Sequence, residues 1–252
     1  MTGTTALEAM PDAPRRRPSP LVVVTGIVGE LLITAGVLLG LFVVWQLWWT
    51  DVEAAATQRT IMNELGWAPP VAQVADDGVA EPQPGDPPVP AVPEHGETFA
   101  TLLVPRWGEH YQQAISGGID RETVLDPLGI GYYPSTQLPG ELGNFALAGH
   151  RVTYGKPFNK VEELEIGDPI VVRTETTWYV YRVVSTRVVT PKQTEVIAPV
   201  PGDPGAEPTK RFLTLTTCHP MFSLRERFVV HAVLDEWART ADGVPAALTG
   251  GA

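Results

Sequence analysis

Residues Leu21 to Trp49 form a nearly unbroken apolar run, and this run fixes how much of the chain is left to fold in water. At about 1.5 Å per residue a helix of this run is roughly 44 Å long, more than the roughly 30 Å hydrocarbon core of a bilayer. Glu30 interrupts the run. An interfacial position for it leaves Leu31–Trp49 as the cleanest span. Arg15, Arg16 and Arg17 precede the run, and Asp51 and Glu53 follow it. The positive-inside rule therefore predicts a cytoplasmic N-terminus, with everything after Thr50 outside the cell membrane. Trp45, Trp48 and Trp49 suit the outer headgroup level. The competing reading is a cleaved leader, with Ala54-Ala55-Ala56 as the cleavage site. The run is about twice the usual apolar length of a leader, which favours an uncleaved anchor.

The chain has 252 residues and a formal net charge of −11, and the charge is unevenly spread. Between Asp51 and Ala100 there are nine acidic residues and one basic residue, Arg59. Eight prolines fall between Pro69 and Pro93. A stretch this acidic, proline-rich and poor in large apolar residues predicts an extended, disordered spacer. Asp51–Trp67 can continue as a short helix before it. There is no basic patch for nucleic acid and no phosphate-cradling glycine loop. The expected organisation is a tail over 1–20, an anchor over 21–50, a linker over 51–96, a folded domain over 97–238 and a frayed tail over 239–252.

The folded part reads as mostly β. Thr98–Val104 is a strand ended by Pro105, and Tyr111–Ile119 is a short helix. Asn144–Ala148 is a strand leading to Gly149-His150, and Val161–Leu164 is a helical turn. Pro169–Arg173 and Trp178–Val189 read as a hairpin. Phe212–Cys218 and Arg227–Leu234 are the last pair, and Glu195–Lys210 is a surface loop. Many short strands with turn signals and little helix predict an all-β domain, a closed barrel or a sandwich.

Cys218 is the only cysteine, set in Leu213-Thr214-Leu215-Thr216-Thr217-Cys218-His219-Pro220. A lone cysteine outside the membrane has no intramolecular partner. It is a buried filler, an intermolecular link or a reactive thiol. Its place at a strand end favours the reactive reading, with His150 ending another strand and Arg227 opening the next. These residues resemble a family. Thr214-Leu215-Thr216-Thr217-Cys218 is similar to the TLxTC signature of sortases. Ala148-Gly149-His150 resembles their catalytic histidine strand end, and Arg227 before Phe228-Val229-Val230 resembles their catalytic arginine. Gly149 through Gly155, Cys218-His219-Pro220 and Glu226-Arg227 resemble the class E sortases of actinobacteria. Phe228 stands where that class often carries Leu, outside the reactive trio. The resemblance covers about Phe99 to Leu234 and the anchor.

The resemblance implies a closed eight-stranded sortase-type β-barrel and a transpeptidase needing no cofactor and no metal. Cys218, His150 and Arg227 would be the catalytic residues. The partners would be secreted proteins with a C-terminal sorting signal, LAxTG-like, and a peptidoglycan amine as acceptor. Tyr133 resembles the loop tyrosine that class E sortases use in choosing Ala over Pro; the alternative is an aromatic packed under its loop. Thr217 either lends its hydroxyl or backbone N–H to substrate or is an ordinary strand threonine. His219 follows Cys218 directly and so points to the other face of a strand, which disfavours it as the base. His231 reads as a satisfied barrel residue, and Arg225 as a loop residue competing with Arg227. Two other functions are weighed. One is a thiol peptidase of wall peptides, disfavoured because its cysteine usually precedes its histidine. The other is a silent wall-binding module, which requires an inert Cys218.

Overall fold

The structure is a computed structural model and describes residues 19–69 and 78–249. Arg15–Arg17 and residues 70–77 of the expected spacer lie outside the described residues. The chain divides into two units, Met1–Gln46 and Leu47–Ala252. Helix α1, Pro20–Leu65, is the one helix among the described residues long and apolar enough to cross a membrane.

In the second unit, eight strands close into a barrel. They are β2 (Thr98–Leu103), β3 (Gln112–Gly117), β4 (Ile130–Tyr132), β5 (Gly143–Gly149), β6 (Pro169–Arg173), β7 (Thr177–Val189), β8 (Arg211–His219) and β9 (Glu226–Arg239). Their order around the barrel is β2-β3-β4-β5-β8-β9-β7-β6. The β3–β4 and β5–β8 pairs are parallel and the others antiparallel, so closure leaves no free edge. Leu102, Ile115, Phe145, Leu147, Tyr181, Leu213, Leu215 and Val230 fill the interior. A buried polar chain lies on the opposite face of the sheet, where Asn144 Nδ2 also donates to Val196 O at 3.3 Å and Ala198 O at 3.0 Å. Thr214 Oγ1 donates to Asn144 Oδ1 at 2.7 Å, so the His231 Nδ1–H must donate to Thr214 Oγ1, 2.9 Å away. His231 is thus neutral, and its buried Nε2 has no partner among the described residues. Burial lowers its pKa to about 4.

Three expectations are corrected. Residues 112–117 form strand β3 rather than a helix. Its last four residues are all buried and include a single large apolar side chain, Ile115, so no period-2 signal shows, and the Ala114 N–H at its edge donates to Gln58 Oε1 at 2.9 Å. The proline-rich stretch from residue 78 on is an ordered strap rather than a free spacer. It opens with β1 (Val79–Ala80), which pairs in parallel with β10 (Val244–Pro245). Prolines cannot donate, so the barrel supplies the donors. Trp237 Nε1 bonds Gly85 O at 3.0 Å, Tyr179 OH bonds Pro88 O at 2.7 Å, and Arg211 Nη2 bonds Asp86 Oδ1 at 2.7 Å. For the same reason the tail beyond Arg239 is not frayed through β10, where Val244 is fully buried and Trp178 Nε1 bonds Gly243 O at 3.0 Å.

Residues 47–65 of α1 pack on the barrel. Gln58 Nε2 donates to Leu128 O at 2.7 Å while its Oε1 takes the Ala114 N–H. Asp51 accepts from Gly155 N at 3.2 Å and Lys156 Nζ at 2.6 Å.

Candidate active site

Strand β5 and its parallel neighbour β8 run in register, with Ala148 beside Thr216. Two residues further on, His150 directly follows the end of β5 and β8 carries Cys218. Across the antiparallel β8–β9 pair the register partner of Cys218 is Arg227. Directly opposed residues point to one face with Cβ atoms about 4.5–5.5 Å apart. The three residue types therefore meet through strand register, at sequence positions 77 apart at most.

They line one cavity of about 470 Å³, and Tyr133 and Thr217 line it too, so all five residues singled out in the sequence come together. Cys218 is half-buried and unpaired. Arg227 Nη1 donates to Leu224 O at 3.1 Å and Glu226 O at 2.9 Å, which steadies its own loop. Thr217 Oγ1 donates to Gly149 O at 2.7 Å, so this hydroxyl hydrogen ties β8 to the strand bearing His150. Thr216 Oγ1 donates to Leu147 O at 3.1 Å, so Tyr133 OH must be the donor in its 3.0 Å contact with Thr216 Oγ1. The rim carries exposed Phe222 and Leu224, and Phe222 is 82% exposed at φ 63. A larger cavity of about 690 Å³, between residues 58–69 and the start of β3, gathers no comparable set of nucleophile, base and fixed cation.

No motif marks the residues that surround the trio. Asp126 Oδ1 lies 2.6 Å from His150 Nε2. Asp126 sits on a short helical segment between β3 and β4. Asp120 opens that segment by accepting from the N–H groups of Glu122 and Thr123, and Gln58 holds its end at Leu128. Those bonds, the Thr123 N–H above all, hold the Asp120 carboxyl below its usual range. On the far side of Cys218, Arg151 is 2% exposed. Its Nη2 meets Glu162 Oε2 at 2.5 Å, and its Nη1 donates toward Cys218 O at 3.4 Å and faces His219 Nδ1 at 3.0 Å. Glu162 Oε1 is also 2.9 Å from His219 Nδ1. The Arg151 hydrogen bond holds the Glu162 carboxyl below its ordinary value. His219 is thereby occupied with Glu162 and Arg151. Arg225 is exposed in its loop and does not line the cavity.

A thiol, an imidazole and a fixed guanidinium around one cavity can attack a carbonyl, move a proton and hold an oxyanion. The Sortase domain family matches residues 102–235. This chain belongs to the sortase family. It is 37% identical to Sortase SrtE1 of Streptomyces coelicolor over 250 residues, 96% of this chain and 66% of that protein, so it spans about two thirds of that relative's length. Among solved structures it is similar to the SrtA sortase from Actinomyces oris, with 42% identity and a TM-score of 0.63 over 66% of this chain and 96% of that one. A crystal structure of Sortase E1 from Streptomyces coelicolor with a tripeptide in the active site matches at 38% identity and TM-score 0.57, over 61% of this chain and 97% of that one. These likenesses group this sortase with class E, and the closed barrel expected from the family resemblance is the one observed.

Proposed function

We propose that this sortase is a membrane-anchored cysteine transpeptidase of the cell surface. It cleaves an LAxTG-like C-terminal sorting signal of secreted proteins between Thr and Gly and transfers the acyl group to a peptidoglycan amine. The observation that carries the reading is the register that sets Cys218 opposite Arg227, with His150 at the matching end of the neighbouring parallel strand.

An amide is a poor electrophile with a poor leaving group, and a covalent intermediate splits its exchange into two easier steps. The Cys218 thiolate attacks the Thr carbonyl carbon, and Arg227 hydrogen-bonds the oxygen as it gains charge. The C–N bond breaks as His150 gives a proton to the departing glycine nitrogen. The acceptor amine then attacks the thioester, His150 takes its proton, and the thiolate leaves. Acid–base help of this kind supplies about 10²–10⁴-fold. Arg227 cannot be the proton donor, since a guanidinium stays protonated at working pH. Tyr133 OH, bonded to the strand of the nucleophile, and the exposed Phe222 and Leu224 suit the apolar residues of such a signal. The apolar part of α1 is the anchor, with the N-terminus cytoplasmic and the barrel outside.

The test is incubation with LAxTG and LPxTG peptides, with and without an amine stem peptide, read by mass spectrometry. Cleavage after Thr with an amine adduct, lost in Cys218→Ala, is expected. Intact peptides from a folded protein whose Cys218 resists alkylation would sink the reading.

A further inference from the structure

We infer that Asp126 is a positioning residue that fixes which nitrogen of His150 carries the catalytic proton. The inference rests on the proposed role of His150 in acid–base catalysis. A carboxylate only accepts hydrogen bonds, so at 2.6 Å the Nε2 of His150 is the protonated partner. Turning the ring over would set a carbon against Asp126 and forfeit the bond. His150 Nε2 is therefore engaged. Nδ1, which has no hydrogen-bond partner among the described residues, is the nitrogen left to exchange a proton with Cys218 or substrate. A free imidazole carries no such preference strong enough to keep one tautomer, so the hydrogen bond made by one nitrogen sets the role of the other.

The placement of Asp126 looks built for this. Its segment is capped at the start by Asp120 and held at the end by Gln58. Arg121 Nε is 3.4 Å from the same Oδ1 atom, a second partner for the carboxyl. Tyr154 stacks beside the imidazole with ring centroids 5.2 Å apart, which limits rotation of the ring on the other side. The titratable and charged groups facing His150 are thus Asp126, Arg121 and Tyr154, with Cys218, Arg151 and Arg227 around the cavity. The proton balance is simple. From a neutral His150 with Nε2–H on Asp126, Nδ1 takes the Cys218 thiol proton as the sulfur attacks. The Nδ1 proton goes to the leaving nitrogen, while the Nε2 proton never moves.

The full chain in detergent, labelled with ¹⁵N-histidine, tests this. The His150 signals are assigned by their loss in His150→Gln. Expected is a neutral His150 held as the Nε2–H tautomer, relaxing to a mixture in Asp126→Ala. In peptide cleavage Asp126→Ala should lose roughly tenfold to hundredfold in kcat with little change in KM, within the about 10²–10⁴-fold that acid–base help supplies. Asp126→Asn, whose amide oxygen still accepts, should recover much of the loss and shift the pH profile. In the His150→Gln background Asp126→Ala should cost nothing further. An unchanged tautomer in Asp126→Ala overturns the inference, and so does an equal loss in both backgrounds. If His150→Gln keeps wild-type activity, it is the acid–base role that falls, and the tautomer signal still decides whether Asp126 holds the ring.

Discussion

At the scale of single residues, Arg227 and His231 illustrate opposite ways of using a basic side chain. Arg227 faces Cys218 across the strand pair. Arg227→Lys keeps the charge but loses the planar fork, and removing one oxyanion donor costs about 10²–10³-fold. We expect a loss of that order in kcat/KM, with Cys218 alkylation unchanged. His231 is instead buried on the outer face of the sheet, with its pKa lowered to about 4. Between its unfolded value of about 6.5 and that point the unfolded chain binds more protons. Stability should therefore fall as pH drops through this window, by at most about 1.4 kcal/mol per unit. Urea titrations at several pH values should show the slope in wild type and a flatter one in His231→Gln. Glu162 compensates the buried guanidinium of Arg151, so Glu162→Ala should cost about 1–3 kcal/mol in chemical denaturation, well beyond an ordinary surface carboxylate. The meeting of Cys218, His150 and Arg227 at one cavity was legible because strand ends and motif spacing announce it. Asp126 and Glu162 were not, since contacts across 24 and 57 positions arise from loops whose path no local pattern encodes.

At the scale of elements, strands carrying several large apolar residues were readable even where both faces are buried, as in β5 and β8. The β6–β7 hairpin was found the same way, whereas β3, with Ile115 as its one large apolar residue, was not. Composition likewise misled over residues 78–93: few donors and few large apolar groups describe a chain that cannot fold alone, not one that cannot be held by a partner. Trp237→Phe keeps the ring and removes the donor to Gly85 O. It should cost about 1 kcal/mol and speed amide exchange in the strap while leaving the barrel core protected.

For the whole molecule, residues 47–65 act as part of the barrel unit rather than as a lead-in to it. Gln58 reaches the segment of Asp126, and Asp51 reaches the turn after His150, so this stretch braces both walls beside the imidazole. Gln58→Ala leaves the Ala114 N–H without its acceptor, a loss of about 1–3 kcal/mol. At about 2–4 °C per kcal/mol, thermal melts should show it, and a chain begun near Glu94 should melt lower than one begun at Leu47. The strap has a different consequence. Its Gly85 and Pro88 carbonyls accept from the barrel's Trp237 and Tyr179, and a carbonyl is the same atom in every amino acid, whereas Arg211 holds the Asp86 carboxylate. Side chains along residues 81–92 other than Asp86 are therefore largely interchangeable, and mutational scanning should find substitutions concentrated there and scarce at Asp86 and the three donors.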